Sequence, residues 1–130
     1  MSSSRPVVVH PGEGISGPAR PETRRHIYDP QGRWVGWAGW IRNDAGDVSG
    51  WHHHADNDTY VYVIRGSVTI HFGPGGSDSV VARAGDFFIV PSQAIHRETT
   101  GQDADLEAFI FRVGGEPEHV SVDGPEAGGS

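Results

Sequence analysis

The amino-acid sequence predicts an all-β protein, in which short strands form a single barrel or sandwich. Short segments rich in β-branched and aromatic residues recur at close spacing along the chain. The 130 residues include 19 glycines and 9 prolines, which favour many turns. No stretch of useful length shows the 3.6-residue hydrophobic period of a helix. A chain of this length suits one domain with a modest core.

The chain is expected to consist of three parts. Residues 1–30 form an N-terminal arm with a candidate edge strand at Val7 to Val9, residues 31–115 form the barrel, and residues 116–130 form a C-terminal strand and a flexible tail. Gly66 separates two strands, and GPGGSD (73–78) closes the hairpin that follows. The predicted barrel strands are WVGWAGWIR (34–42), VSGWHHH (48–54), TYVYVIR (59–65), SVTIHFG (67–73), SVVAR (79–83), DFFIVP (86–91) and LEAFIFRV (106–113).

Composition and charge exclude several classes of function. The net charge is -7 and the ten basic residues, all arginines, are scattered, so a nucleic-acid partner is not expected. The absence of lysine excludes Schiff-base chemistry, and the absence of cysteine excludes disulfides, thiolate nucleophiles and sulfur ligands. No apolar run approaches the roughly 20 residues of a membrane span, and the start resembles no secretory signal. We therefore expect a cytoplasmic protein.

Three consecutive histidines in GWHHHADNDTYVYVIRG (50–66) raise the question of a metal site. Alternate side chains of a strand share a face, so His52 and His54 point one way and His53 the other. A third ligand must come from another strand, and His96 at the end of GDFFIVPSQAIH is the candidate. Taken alone, the H-x-H pattern is also compatible with an ordinary polar surface.

Two motifs distinguish these alternatives. Gly46 to Gly66 follows G-x5-H-x-H-x4-E-x6-G with Thr59 at the glutamate position, and Gly85 to His96 follows G-x5-P-x-G-x2-H with Gln93 at the second glycine. In this order the motifs, within residues 34–113, resemble the cupin superfamily. The resemblance implies a double-stranded β-helix, or jelly-roll, barrel. It also implies that His52, His54 and His96 bind one divalent metal ion.

The departure at Thr59 bears on the chemistry, because the glutamate of the motif usually supplies an anionic fourth ligand. Counting from Gly66 selects Thr59 for that position, whereas counting three residues from His54 selects Asp58, and both assignments stay open. A neutral three-histidine site resembles the cupin oxygenases that cleave diketones. We therefore expect an Fe(II) oxygenase or dioxygenase acting on a diketone, phenol or other enolisable molecule, with Zn, Ni, Mn or Cu as alternative metals.

Two other functions remain open: a non-redox isomerase, cyclase or dehydratase of secondary metabolism, and a non-catalytic small-molecule binding protein. The residues expected to bind substrate are Thr59, Arg42, Trp40 and Phe109, although Arg42 also suits an exposed surface and the tryptophans suit core packing. Sequence does not decide whether the pair Phe109 and Phe111 or the pair Ala108 and Ile110 faces the interior. Because cupins often pair through their sheets, a homodimer is expected.

Overall fold

The computed structural model describes residues 22–127, together with Pro6, Val8 and His10, and within them it contains strands and no helix. Ten strands form two five-stranded antiparallel sheets, one ordered β1-β2-β9-β4-β7 and the other β10-β3-β8-β5-β6. The strands are β1 (Glu22–Tyr28), β2 (Trp34–Asn43), β3 (His52–His53), β4 (Asp58–Arg65), β5 (Ser67–Phe72), β6 (Asp78–Arg83), β7 (Phe87–Val90), β8 (His96–Thr100), β9 (Leu106–Val113) and β10 (Val120–Ser121). The all-β prediction is confirmed. In the described part of the chain, no helix is long and apolar enough to cross a membrane.

Each end of the chain contributes one strand, β1 within residues 1–30 and β10 within residues 116–130. β1 pairs with β2 along its length. Of the candidate edge strand, Val7 and Val9 lie outside the described residues, and Val8 is 75% exposed and not part of a strand. The tail is ordered as far as a bridge between Glu126 and Pro74, where Gly75 N donates to Glu126 O at 2.8 Å. Both segments are polar, so backbone hydrogen bonding to a neighbouring segment, which sequence patterns report poorly, decides their structure.

The core lies between the two sheets and is built from alternate residues of the strands. On β9, Ala108 and Ile110 are buried, whereas Phe109 is 46% exposed, so the first pair faces the interior. The buried cluster comprises Trp37, Val61, Val63, Val68, Ile70, Ala82, Leu106, Ala108 and Ile110. Strand alternation therefore fixes which side chains can reach an internal site.

Gly66 carries the chain from one sheet to the other. It connects β4 in the first sheet to β5 in the second, so the two strands that meet around it do not pair. Its φ is +82°, and a Cβ atom at this position would lie 2.5 Å from the carbonyl oxygen of Asp105. Both the backbone conformation and the close approach require glycine at the end of the first motif.

Candidate metal centre

His52, His54 and His96 converge in the second sheet. His52 lies on β3 opposite His96 at the start of β8, and His54 follows β3 directly. One ring nitrogen from each of the three lies within 4.8 Å of the others, and the three residues are 6%, 4% and 1% exposed. The intervening His53 points elsewhere, where its Nδ1 accepts a hydrogen bond from Ala55 N at 2.9 Å.

The orientation of each ring is fixed through its Nδ1 atom. The Nδ1 of His52 lies 2.8 Å from Gly50 O, that of His54 lies 2.8 Å from Glu118 O, and that of His96 lies 2.8 Å from Ala94 O. A carbonyl oxygen only accepts, so each Nδ1 carries the proton and donates it. The Nε2 lone pairs are thereby left for a cation, the arrangement in which backbone carbonyls orient metal-binding imidazoles. The donor set and its orientation therefore fit a divalent metal ion.

The two loops that carry the histidines are hydrogen-bonded to each other. Gln93 and Ala55 both have left-handed φ angles, +64° and +50°. Gln93 N donates to Ala55 O at 2.8 Å, and the Gln93 side-chain amide donates to Asp56 Oδ1 at 2.8 Å. Left-handed backbone costs a non-glycine residue roughly 1–2 kcal/mol, which these bonds offset. Gln93 thus adopts the conformation of the glycine that it replaces in the motif.

Asn57 ties the histidine loop to the C-terminal segment. The residue is 1% exposed, and the two hydrogens of its Nδ2 are shared among three carbonyl oxygens, Gly115 O at 2.8 Å, His54 O at 3.0 Å and Pro117 O at 3.2 Å. The segment held in this way includes the Glu118 carbonyl that orients His54. The C-terminal part of the chain therefore helps to build the histidine cluster.

A cavity of about 200 Å³ lies between the sheets, with His52 and His54 in its wall. Half of the residues that line it are apolar, and the polar ones include Thr59, Glu98 and Arg112. The apolar lining consists of Trp37, Ile41, Val61, Val68, Phe88, Val90, Leu106, Ala108 and Ile110. A small organic molecule in this cavity would reach the histidines.

Thr59 and Arg112 occupy the place where the motif has its glutamate. Thr59 is 2% exposed and lines the cavity, and its hydroxyl accepts a hydrogen bond from Arg112 Nε at 2.8 Å. The Arg112 guanidinium also lies over the Trp37 ring, 5.2 Å from its centre. Asp58 accepts a hydrogen bond from Ser92 N at 2.9 Å and is absent from the cavity wall. A cation therefore stands where the family usually places an anion.

The remaining substrate-binding candidates lie outside this cavity. Trp40 and Phe109 are register partners on the outer side of the first sheet, because strand alternation turns Trp37 and Ile110 inward instead. Arg42 forms an ion pair with Asp105 at 2.7 Å and is also absent from the cavity wall. Of the residues expected to bind substrate, only Thr59 therefore lies in the wall of this cavity.

Glu98 lies beside the histidines and was missed from the sequence. Its Oε1 is 3.2 Å from His96 Nε2 and 4.0 Å from His52 Nε2, and its side chain is 29% exposed. The expected absence of a carboxylate beside the three imidazoles is therefore wrong. Strand alternation could have found Glu98, since it is two residues from His96, and likewise Arg112, which is two residues from Ile110.

His119 also joins the cluster, stacking on His52 with 4.7 Å between ring centres. No sequence signal indicated it, because its position depends on the path of the C-terminal segment.

The electrostatics of the site favour the neutral forms of His52 and His54 and the charged form of Glu98. Burial, with a further contribution from the positive Arg112, lowers the pKa of His54 to about 3, and burial lowers the pKa of His52. Burial alone would raise the pKa of Glu98, but the hydrogen bond and charge of His96 outweigh it and lower that pKa to about 2. Neutral imidazoles and an ionised carboxylate are the forms that bind metals.

Comparison with known proteins identifies the family. Residues 39–112 match the family model described as a cupin domain, so this chain belongs to the cupin family. No curated protein matches the sequence.

Solved structures with low sequence identity show the same fold. One is a conserved protein with a double-stranded β-helix domain from Klebsiella pneumoniae, with a TM-score of 0.66, 16% identity and coverage of 93% of this chain and 99% of that one. The cupin domain of Schizosaccharomyces pombe Cnp3 has a TM-score of 0.62 and 11% identity, and the match covers 77% of this chain and 64% of that one. An oxalate oxidase has a TM-score of 0.57 and 19% identity. The match covers 70% of this chain and 51% of that one, so this chain spans about half of the oxalate oxidase chain. The jelly-roll prediction is confirmed.

Proposed function

We propose that this protein is a metal-dependent cupin enzyme that uses Fe(II) and O2 to oxidise a small organic molecule. The observation that carries the proposal is the set of three buried imidazoles whose Nδ1 atoms all donate to backbone carbonyls, beside an apolar cavity. Imidazole ligands suit Fe, and also Zn, Cu and Ni. The similarity to an oxalate oxidase adds that this fold supports oxidase chemistry, although 19% identity carries no substrate to this chain.

The cavity restricts the size and character of the substrate. About 200 Å³ is smaller than the roughly 300–1,000 Å³ of sites for drug-sized ligands, so a single-ring or short-chain molecule fits. The apolar walls bind the hydrocarbon part and exclude water. The Arg112 guanidinium in the wall favours an anionic oxygen, such as an enolate or phenolate.

The protein groups then have distinct roles around the substrate. His52, His54 and His96 would hold the metal, which supplies one-electron chemistry when bound. Thr59 positions Arg112 by accepting its Nε proton, and the guanidinium lowers the free energy of a substrate anion beside it. Glu98 lines the cavity, and its second carboxylate oxygen, which does not face His96, is left to accept a proton as the substrate enolises.

The same carboxylate supports a second candidate function. A general base beside a Lewis-acidic ion is sufficient for isomerisation, cyclisation or dehydration without any change of oxidation state. Glu98 therefore favours a non-redox cupin enzyme, loaded with Zn or Ni, as the alternative. A protein that only binds a small molecule would need no base at this position.

Untagged protein loaded with Fe(II), and separately with Zn(II), would be screened with small diketones, phenols and enolisable acids. We expect O2 uptake with Fe(II) and its loss in His96→Ala, while His53→Asn, which keeps an acceptor for Ala55 N, remains active. Turnover with Zn(II) under nitrogen would instead support the non-redox enzyme. Metal binding without turnover in either condition would contradict both enzymatic functions.

A further inference from the structure

We propose that Glu98 is a ligand of the metal ion and takes over the anionic role that the first motif leaves to Thr59. This inference rests on the metal centre of the proposed function. The fourth ligand would then come from β8, where Glu98 lies, and not from β4, which carries Thr59 and belongs to the other sheet.

The distances from Glu98 to His96 and to His52 match those between ligands of one ion. With metal–ligand bonds of about 2.1 Å, neighbouring ligand atoms lie roughly 3.0 Å apart at a right angle and roughly 3.4 Å apart in a tetrahedron. Glu98 Oε1 is 3.2 Å from His96 Nε2. Its distance of 4.0 Å from His52 Nε2 approaches the roughly 4.2 Å between opposite ligands. One ion can therefore contact this oxygen and both imidazoles.

Local hydrogen bonding supports the same placement. His96 already donates from Nδ1 to Ala94 O, yet its Nε2 also faces the Glu98 acceptor oxygen. With its one N–H donated to Ala94 O, a neutral His96 presents the lone pair of Nε2 to the Glu98 oxygen, and a cation between the two atoms would attract both. A metal ion bound by both Nε2 and Oε1 provides that cation.

The first motif does not provide the anion. The Thr59 hydroxyl accepts from Arg112 Nε at 2.8 Å, so its surroundings are already cationic. Asp58, the nearest carboxylate in the first motif, hydrogen-bonds with Ser92 N instead. With a guanidinium on that side, charge compensation for a divalent ion favours a carboxylate on the other side, where Glu98 stands.

The inference is tested by titrating untagged protein with Co2+, whose visible absorption reports coordination. We expect Glu98→Gln to weaken Co2+ binding by at least tenfold and to change the absorption bands. Glu107→Gln, which removes a carboxylate paired with Arg65 at 3.8 Å away from the cavity, should leave both unchanged. Added acetate should restore the wild-type bands in Glu98→Ala, because it supplies the missing carboxylate.

The outcomes separate this inference from the proposed function. Wild-type affinity and bands in Glu98→Gln would overturn the ligand assignment and leave the three-histidine centre in place. Weaker binding with unchanged bands, and no response of Glu98→Ala to acetate, would also overturn it, since Glu98 would then act only through His96. Failure of the wild-type protein to bind Co2+ would overturn the metal centre itself.

Discussion

Replacing Thr59 with valine removes one hydroxyl from the site and almost no volume. The hydroxyl is the 2.8 Å acceptor for the charged Arg112 Nε, and both residues are buried, at 2% and 9% exposure. Hydrogen bonds to charged groups contribute about 1.5–3 kcal/mol, so Thr59→Val should lower the free energy of unfolding by about 2 kcal/mol. With an unfolding entropy of about 2.1 cal/mol/K per residue, this corresponds to a fall in Tm of roughly 7 °C.

Calorimetry of metal-free protein measures this change. The matched control is Thr69→Val on β5, a half-buried strand position outside the cavity wall, where we expect a change within about 0.5 kcal/mol. Equal stability of Thr59→Val and Thr69→Val would refute the claim that the Thr59 hydroxyl fixes Arg112.

Two further predictions concern pH and association. In metal-free protein the free energy of unfolding should fall as the pH drops from 7 to 5. Histidine in the unfolded chain binds a proton near pH 6.5, whereas the lowered pKa of His54, about 3, keeps this residue neutral in the folded protein. Each such histidine changes the free energy of unfolding by up to about 1.4 kcal/mol per pH unit, which urea unfolding at several pH values measures. We also propose a homodimer formed through the outer side of the first sheet, where Tyr62, Phe87 and Phe109 are 48%, 59% and 46% exposed. Size-exclusion chromatography should show twice the chain mass, and Phe109→Arg should show a monomer.

A specific result would contradict each of these two predictions. His54→Gln should reduce the dependence of stability on pH, and a dependence identical to that of the wild-type protein would contradict the assignment to His54. A wild-type monomer, or a dimer unaffected by Phe109→Arg, would show that the exposed aromatic face is not the contact between two copies.

The strands with alternating apolar residues were predictable, and the segments without them were not. TYVYVIR and LEAFIFRV appear as β4 and β9 because their β-branched and aromatic residues alternate between core and surface. In contrast, β1 forms a hairpin with its neighbour β2 without an alternating apolar pattern of its own, and the position of β10 depends on pairing with β3, which is distant in sequence. The same reason hides His119, since its place follows from that pairing.

Within the site, the three candidate metal ligands were predictable, but their charged neighbours Glu98 and Arg112 were not identified. Two spaced motifs indicated the three histidines. The sequence did not decide which alternate side chains of β9 face the interior, and Phe109 was therefore taken as a candidate instead of Arg112. The same alternation, applied to β8, would have placed Glu98 beside His96.

The central claim is that His52, His54 and His96 bind one metal ion, and elemental analysis of untagged protein tests it most directly. The account predicts one equivalent of divalent metal per chain, lost on changing any one of the three to alanine and retained in His53→Asn. Equal metal content in His96→Ala and His53→Asn, or none in the wild-type protein after loading with Fe(II), Zn(II) or Ni(II), would contradict it.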